Sequence, residues 1–85
     1  MNLPTPQSIQ DNIQQNLACE YITVEGDGQH FFATIVSDEF LQKTKIQRHQ
    51  LVYQALGDRM KQEIHALSMK TLTINEWKNN GYITN

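Results

Sequence analysis

Apolar positions change their period along this chain, and the changes mark its elements. Ile9, Ile13 and Leu17 recur every four residues, with Asp11, Asn12, Gln14 and Gln15 between them. That spacing gives one narrow apolar stripe and predicts a first helix from about Pro6 to Ala18. Thr5 is placed as its N-cap, and Pro6 takes the first helical position, where the missing amide costs nothing. Tyr21-Ile22-Thr23-Val24 is β-branched and aromatic and predicts a strand; His30 to Val36 predicts a second. Gly26-Asp27-Gly28 is a turn signal, because glycine takes positive φ without steric cost, so the two strands form a hairpin. Ser37-Asp38-Glu39 caps a short turn ending at Phe40.

The stretch from Thr44 to Leu72 organises the rest. Thr44 and Gln47 stand at capping-box spacing. Behind them Ile46, His49, Val52, Tyr53, Leu56 and Met60 recur every three or four residues and predict one face of a long helix, with Lys45, Arg48, Arg59 and Lys61 largely on the other side. Gly57-Asp58 lowers helix propensity by about 1 kcal/mol relative to alanine, which kinks or divides the helix there. From Ile64 to Leu72 the apolar residues alternate, which is strand behaviour, and His65 shares parity with Leu67 and Met69 at the mouth of that strand. Thr73 and Glu76 form another capping box, Leu72 and Trp77 are placed as a hydrophobic staple, and Gly81 stops the last helix.

The order is helix, strand, strand, helix, strand, helix. A short loop makes the first two strands antiparallel, and a helical crossover makes the third parallel to the second. The expected fold class is α+β, a three-stranded mixed sheet covered by helices on one face. The expected organisation is one domain over residues 1–85, with loose termini at 1–5 and 82–85.

Composition narrows this picture. At 39% hydrophobic and 19% charged, the chain has the balance of a soluble globule. It carries no apolar run long enough for a membrane span and no signal peptide, so the expected location is cytoplasmic. Its single cysteine, Cys19, forms no internal disulfide and suits a reducing compartment. Beside a helix terminus it reads as a small apolar residue, and a helix C-terminus raises a thiol pKa. Charge is partitioned. The first 42 residues contain no Lys or Arg but carry six acidic side chains, whereas Lys43, Lys45, Arg48, Arg59 and Lys61 cluster within 43–61. Such a basic helix is either a solvated face or a contact surface for nucleic acid or an acidic protein.

No motif supports an enzyme: there is no glycine-rich phosphate loop, nucleophile elbow, Cys-x-x-Cys or His-Glu-x-x-His. Three histidines and one cysteine do not make a closed four-ligand zinc site at usual spacing, but they allow half a metal site completed by a partner. His30 and His65 are the natural pair, each at a strand end; His30 also reads as an exposed turn histidine. His49, on the apolar helix face, reads as packed and hydrogen-bonded. The element order is also that of KH-type nucleic-acid modules, but their Gly-x-x-Gly loop is missing from Phe40 to Thr44.

The residues His30-Phe31, Ile35-Val36-Ser37 with Phe40, Arg48-His49 with Val52-Tyr53 and Leu56, Ile64-His65-Ala66-Leu67, and Thr71 to Trp77 resemble the BolA-like family. Gly26-Asp27-Gly28-Gln29-His30-Phe31 is similar to its bacterial branch called IbaG or YrbA, described as acid-stress proteins. The match runs over about residues 7 to 78. The resemblance implies a KH-like fold of the second class and a non-enzymatic partnership with a monothiol (Cys-Gly-Phe-Ser) glutaredoxin. In such a heterodimer a 2Fe–2S cluster is shared. The glutaredoxin cysteine and a glutathione thiol bind one side, and this chain supplies a histidine before its last strand, carried onto His65, and a second ligand from the hairpin loop, carried onto His30. Cys19 lies outside the motif. Histidine ligation makes a cluster labile to acid, which suits transfer or sensing in iron–sulfur trafficking, maturation or iron and acid-stress response. Alone, the chain is expected as a monomer or weak homodimer. The family's glycine after the Phe40 position is absent, which weighs against the alternative role implied for some members, a DNA-binding transcriptional regulator using the basic helix.

Overall fold

The structure, a computed structural model, describes residues 5–27, 29–57 and 67–80. The elements are α1 (Pro6–Asn16), β1 (Tyr21–Gly26), β2 (Phe31–Val36), a single 3-10 turn (Asp38–Phe40), α2 (Lys45–Leu56), β3 (Leu67–Leu72) and α3 (Ile74–Asn80). The predicted order therefore holds. β2 is the middle strand, antiparallel to β1 and parallel to β3.

Local chemistry sets the helix starts. Thr5 Oγ1 accepts from the Ser8 amide at 3.0 Å while the Ser8 hydroxyl accepts from the Thr5 amide at 2.9 Å. Thr44 and Gln47 repeat the arrangement at α2, with distances of 3.2 and 2.9 Å. Thr73 and Glu76 do so at α3, at 2.9 and 3.1 Å. α1 stops at Asn16, two residues short of the expected Ala18, and the Asn16 side chain instead donates to the Ala55 carbonyl at 3.0 Å.

α2 stops where Gly57-Asp58 was expected to kink or divide the helix. It ends at Leu56, because Gly57 adopts φ 78° and ψ 178°, a conformation open to glycine that breaks the helix. Met60 and the predicted strand residues Ile64 to Ala66 lie outside the described residues, as do Met1 to Pro4 and Gly81 to Asn85. The buried face of α2 also differs. Val52, Ala55 and Leu56 are buried and Arg48, His49 and Leu51 half-buried, but Ile46 is 71% exposed and Tyr53 39%. At about 100° per residue, positions 48 and 56 lie about 40° from Val52, whereas 46 and 53 lie about 100° or more away. Ile46 and Tyr53 therefore flank the inward arc, and Arg48 lies within it.

The sheet's inner side carries Ile22, Val24, Phe31, Ala33, Ile35 and Leu67, which meet Ile9, Ile13 and Leu17 of α1 and the buried residues of α2 in one core with Phe40. Apart from Val36, the other side of the sheet is half-buried or exposed. Its register sets Val36 beside Tyr21 and Leu72. Val36 is fully buried there, and the Trp77 ring of α3 stacks on Tyr21 with centroids 5.0 Å apart. α3 thus crosses the end of the sheet, with Glu76 turned to α2 and Trp77 to Tyr21, while α1 and α2 form the layer over the inner side.

Candidate functional site

The hairpin loop is built by Asp27. Its Oδ1 accepts from the backbone amides of both Gln29 and His30, each at 2.9 Å, and its own amide donates to the His30 carbonyl at 3.2 Å. The loop backbone is thereby pinned on both sides of His30. The amides of His30 and Gln29 hold the Asp27 carboxyl below the usual carboxylate range. Gly26 is needed for close approach rather than for positive φ. It ends β1, and a Cβ there would strike the His30 carbonyl oxygen and come within 2.7 Å of Phe31 Cδ1.

His30 itself is exposed, and its ring has no hydrogen-bond partner among the described residues. It immediately precedes Phe31, which is 4% exposed and starts β2 in the core. Phe31 pairs with Leu67, so β2 and the parallel β3 start at the same end of the sheet. His65, two positions before Leu67 in the sequence, lies outside the described residues. The structure therefore places one of the two expected ligands.

Cys19 stands at the other end. It precedes β1, whose Tyr21 pairs with Val36 at the far end of β2. A six-residue strand separates the two ends by about 17 Å. The thiol is half-buried against the core, donates to the Leu17 carbonyl at 3.2 Å, and is pushed up in pKa by burial. This is the small apolar role read from its position.

The basic segment divides. Lys43 and Lys45 are exposed at the start of α2. Arg48 is committed inside the molecule: Nε donates to the Lys43 carbonyl at 3.0 Å, and the terminal nitrogens reach the Thr71 carbonyl and both Glu76 oxygens at 2.7 to 3.1 Å. It also lies over the Phe40 ring at 5.9 Å. Four of its five N–H groups are thus used internally, which corrects its placement on the outward basic face. Its place in the inward arc was legible from the spacing to Val52; its partner, 28 residues away in sequence, was not. The Arg48 guanidinium, helped by the Thr73 amide, pushes the Glu76 carboxyl down to about 2. Arg59 and Lys61 lie outside the described residues.

Two further features were missed. Gln42, in the link after Phe40 that contains no glycine, has φ 62°, a conformation that glycine adopts freely. His49, expected to be hydrogen-bonded, leaves its buried Nε2 without a partner among the described residues; burial, then Lys45, lowers its pKa.

These features meet in a known pattern. The family model described as BolA-like protein matches residues 6–76. The chain belongs to the BolA-like family. It is 34% identical over 82 residues to the DNA-binding transcriptional regulator BolA of Haemophilus influenzae, covering 85% of this chain and 80% of that protein. With another curated relative the match spans only 47% of the relative's length. Among solved structures, a bolA protein homologue from Coxiella burnetii is similar at a TM-score of 0.74 and 40% identity, over 88% of this chain and 97% of that one. Yeast Fra2 is similar at 0.73 and 33%, over 93% and 89%. The BolA-like chain has no helix among its described residues that is long and apolar enough to cross a membrane.

Proposed function

We propose that this chain is a non-enzymatic partner that shares a 2Fe–2S cluster with a monothiol glutaredoxin and its glutathione, with His30 and His65 as its own ligands. The observation that carries this reading is the exposed His30 imidazole on a backbone pinned by Asp27, at the end of the sheet where β3 begins. An unpartnered imidazole is a suitable neutral donor for iron. Among the described residues no three His, Cys, Asp or Glu side chains gather as a closed metal cage, so a cluster at His30 draws further ligands from elsewhere. When bound, the cluster supplies an iron site for transfer or sensing; this chain supplies donors and a rigid frame.

The test is co-expression with a monothiol glutaredoxin, followed by visible absorbance and circular dichroism of the purified pair. A brown complex is expected from wild type and from Cys19→Ala, and a pale one from His30→Ala and from His65→Ala. Loss of colour with Cys19→Ala, or full colour with His30→Ala, refutes the ligand assignment.

A second reading, a DNA-binding regulator, draws on the exposed Lys43 and Lys45 at the start of α2 and on the name of the Haemophilus relative. Phosphate contacts by those lysines make affinity fall with salt, which separates this reading from the first.

A further inference from the structure

We propose that Asp27 is a positioning residue for His30, holding the backbone so that the imidazole alone is left to move; the inference rests on His30 being a cluster ligand. One carboxylate oxygen accepts two consecutive amides, those of Gln29 and His30. The Asp27 amide closes the loop on the His30 carbonyl. Gly26 walls the loop on the strand side, since any Cβ there meets that carbonyl oxygen and the Phe31 ring. Phe31, fixed in the core, holds the next residue. The His30 N–H and C=O are therefore both engaged by Asp27, and its ring stays exposed.

This division of labour has a consequence for binding. A ligand on a mobile loop loses affinity through the ordering it undergoes on capture, and a loop ordered beforehand does not. Asp27 makes no hydrogen bond to the imidazole itself: its hydrogen bonds hold the backbone, and only its charge reaches the ring, through space. Asparagine retains a side-chain oxygen at the same atom and supports the same turn, whereas alanine removes it. The two substitutions separate geometry from charge.

The experiment uses Asp27→Ala, Asp27→Asn and His30→Ala. Amide hydrogen exchange on the free chain reads the loop. Release of the cluster to a chelator, followed by visible circular dichroism of the glutaredoxin–glutathione complex, reads the site. The near-ultraviolet signal of the Tyr21–Trp77 stack checks the fold. Asp27→Ala is expected to speed exchange at His30 roughly tenfold, the loss of one intramolecular hydrogen bond. It should also speed cluster release roughly tenfold, in the range of outer-shell substitutions at metal sites. Asp27→Asn should stay within about threefold of wild type on both. The proposal is overturned if Asp27→Ala leaves exchange unchanged, if it leaves cluster release unchanged while His30→Ala speeds it, or if Asp27→Asn behaves like Asp27→Ala. Should His30→Ala itself leave release unchanged, the ligand assignment fails first and takes the positioning role with it.

Discussion

Glycine and its absence mark where backbone geometry matters in this chain, and they do so for different reasons at three residues. Gly57 sits at φ 78° with nothing near its missing Cβ, so conformation is what it provides. Gly26 provides space, because a side chain there would enter the loop backbone. Gln42 takes φ 62° without being glycine. For an ordinary L-residue that region costs about 1 to 2 kcal/mol. Gln42→Gly removes this cost but gains freedom in the unfolded chain, which offsets about 0.5 to 1 kcal/mol. The expected outcome in urea unfolding is a stability unchanged or raised by up to about 1 kcal/mol. Gln42→Val should lower it, because a β-branched side chain fits that region worst. A clear loss with Gln42→Gly means the glutamine side chain contributes contacts that outweigh the strain. The sequence pointed to Gly26 and Gly57 as punctuation and gave no sign of Gln42; only the structure separates a need for space from a need for positive φ.

Among the elements, whatever depends on a few neighbouring residues was legible. Each helix start follows from a Thr with its partner three residues on, and the strand directions follow from a short loop and a helical crossover. What escaped was long-range. α3 is held by Arg48 from α2 and by the stacking of Trp77 on Tyr21, and neither partner is near in sequence. The Arg48–Glu76 pair gives the fold a pH dependence with a definite sign. The Glu76 carboxyl is pushed down to about 2 from 4.5, so its contribution is complete above about pH 4.5 and is lost as pH falls towards 2. Because the Glu76 side chain is 40% exposed, solvent screening limits the pair to about 1 kcal/mol. Glu76→Gln retains an oxygen for the Thr73 amide and so isolates the charge. Unfolding at neutral pH should show the variant less stable by about that amount, with the gap closing between pH 4.5 and 2. A gap of the same size at pH 2 would assign the effect to packing.

At the scale of the whole molecule, the sheet separates two chemistries. Cys19, with its thiol raised by burial, lies at the end opposite the exposed imidazole of His30, so the only thiol of the chain is kept from the loop end. The charges are partitioned too, and the basic cluster that looked continuous from 43 to 61 is interrupted once Arg48 is seen to bind Glu76. A nucleic-acid role then makes a numerical demand. Each phosphate contact contributes about 0.9 to the slope of log affinity against log salt. If Lys43 and Lys45 each meet a phosphate, replacing both with glutamine should flatten the slope by about 2 and weaken binding to every duplex alike. Arg48→Gln should leave the slope unchanged while lowering stability, because its guanidinium is already bound within the domain. Gel shifts across a salt series, beside urea unfolding of the same variants, distinguish these cases. A slope change of about 1 with Arg48→Gln would mean that the arginine leaves Glu76 to reach a phosphate, and that α3 is released when DNA binds.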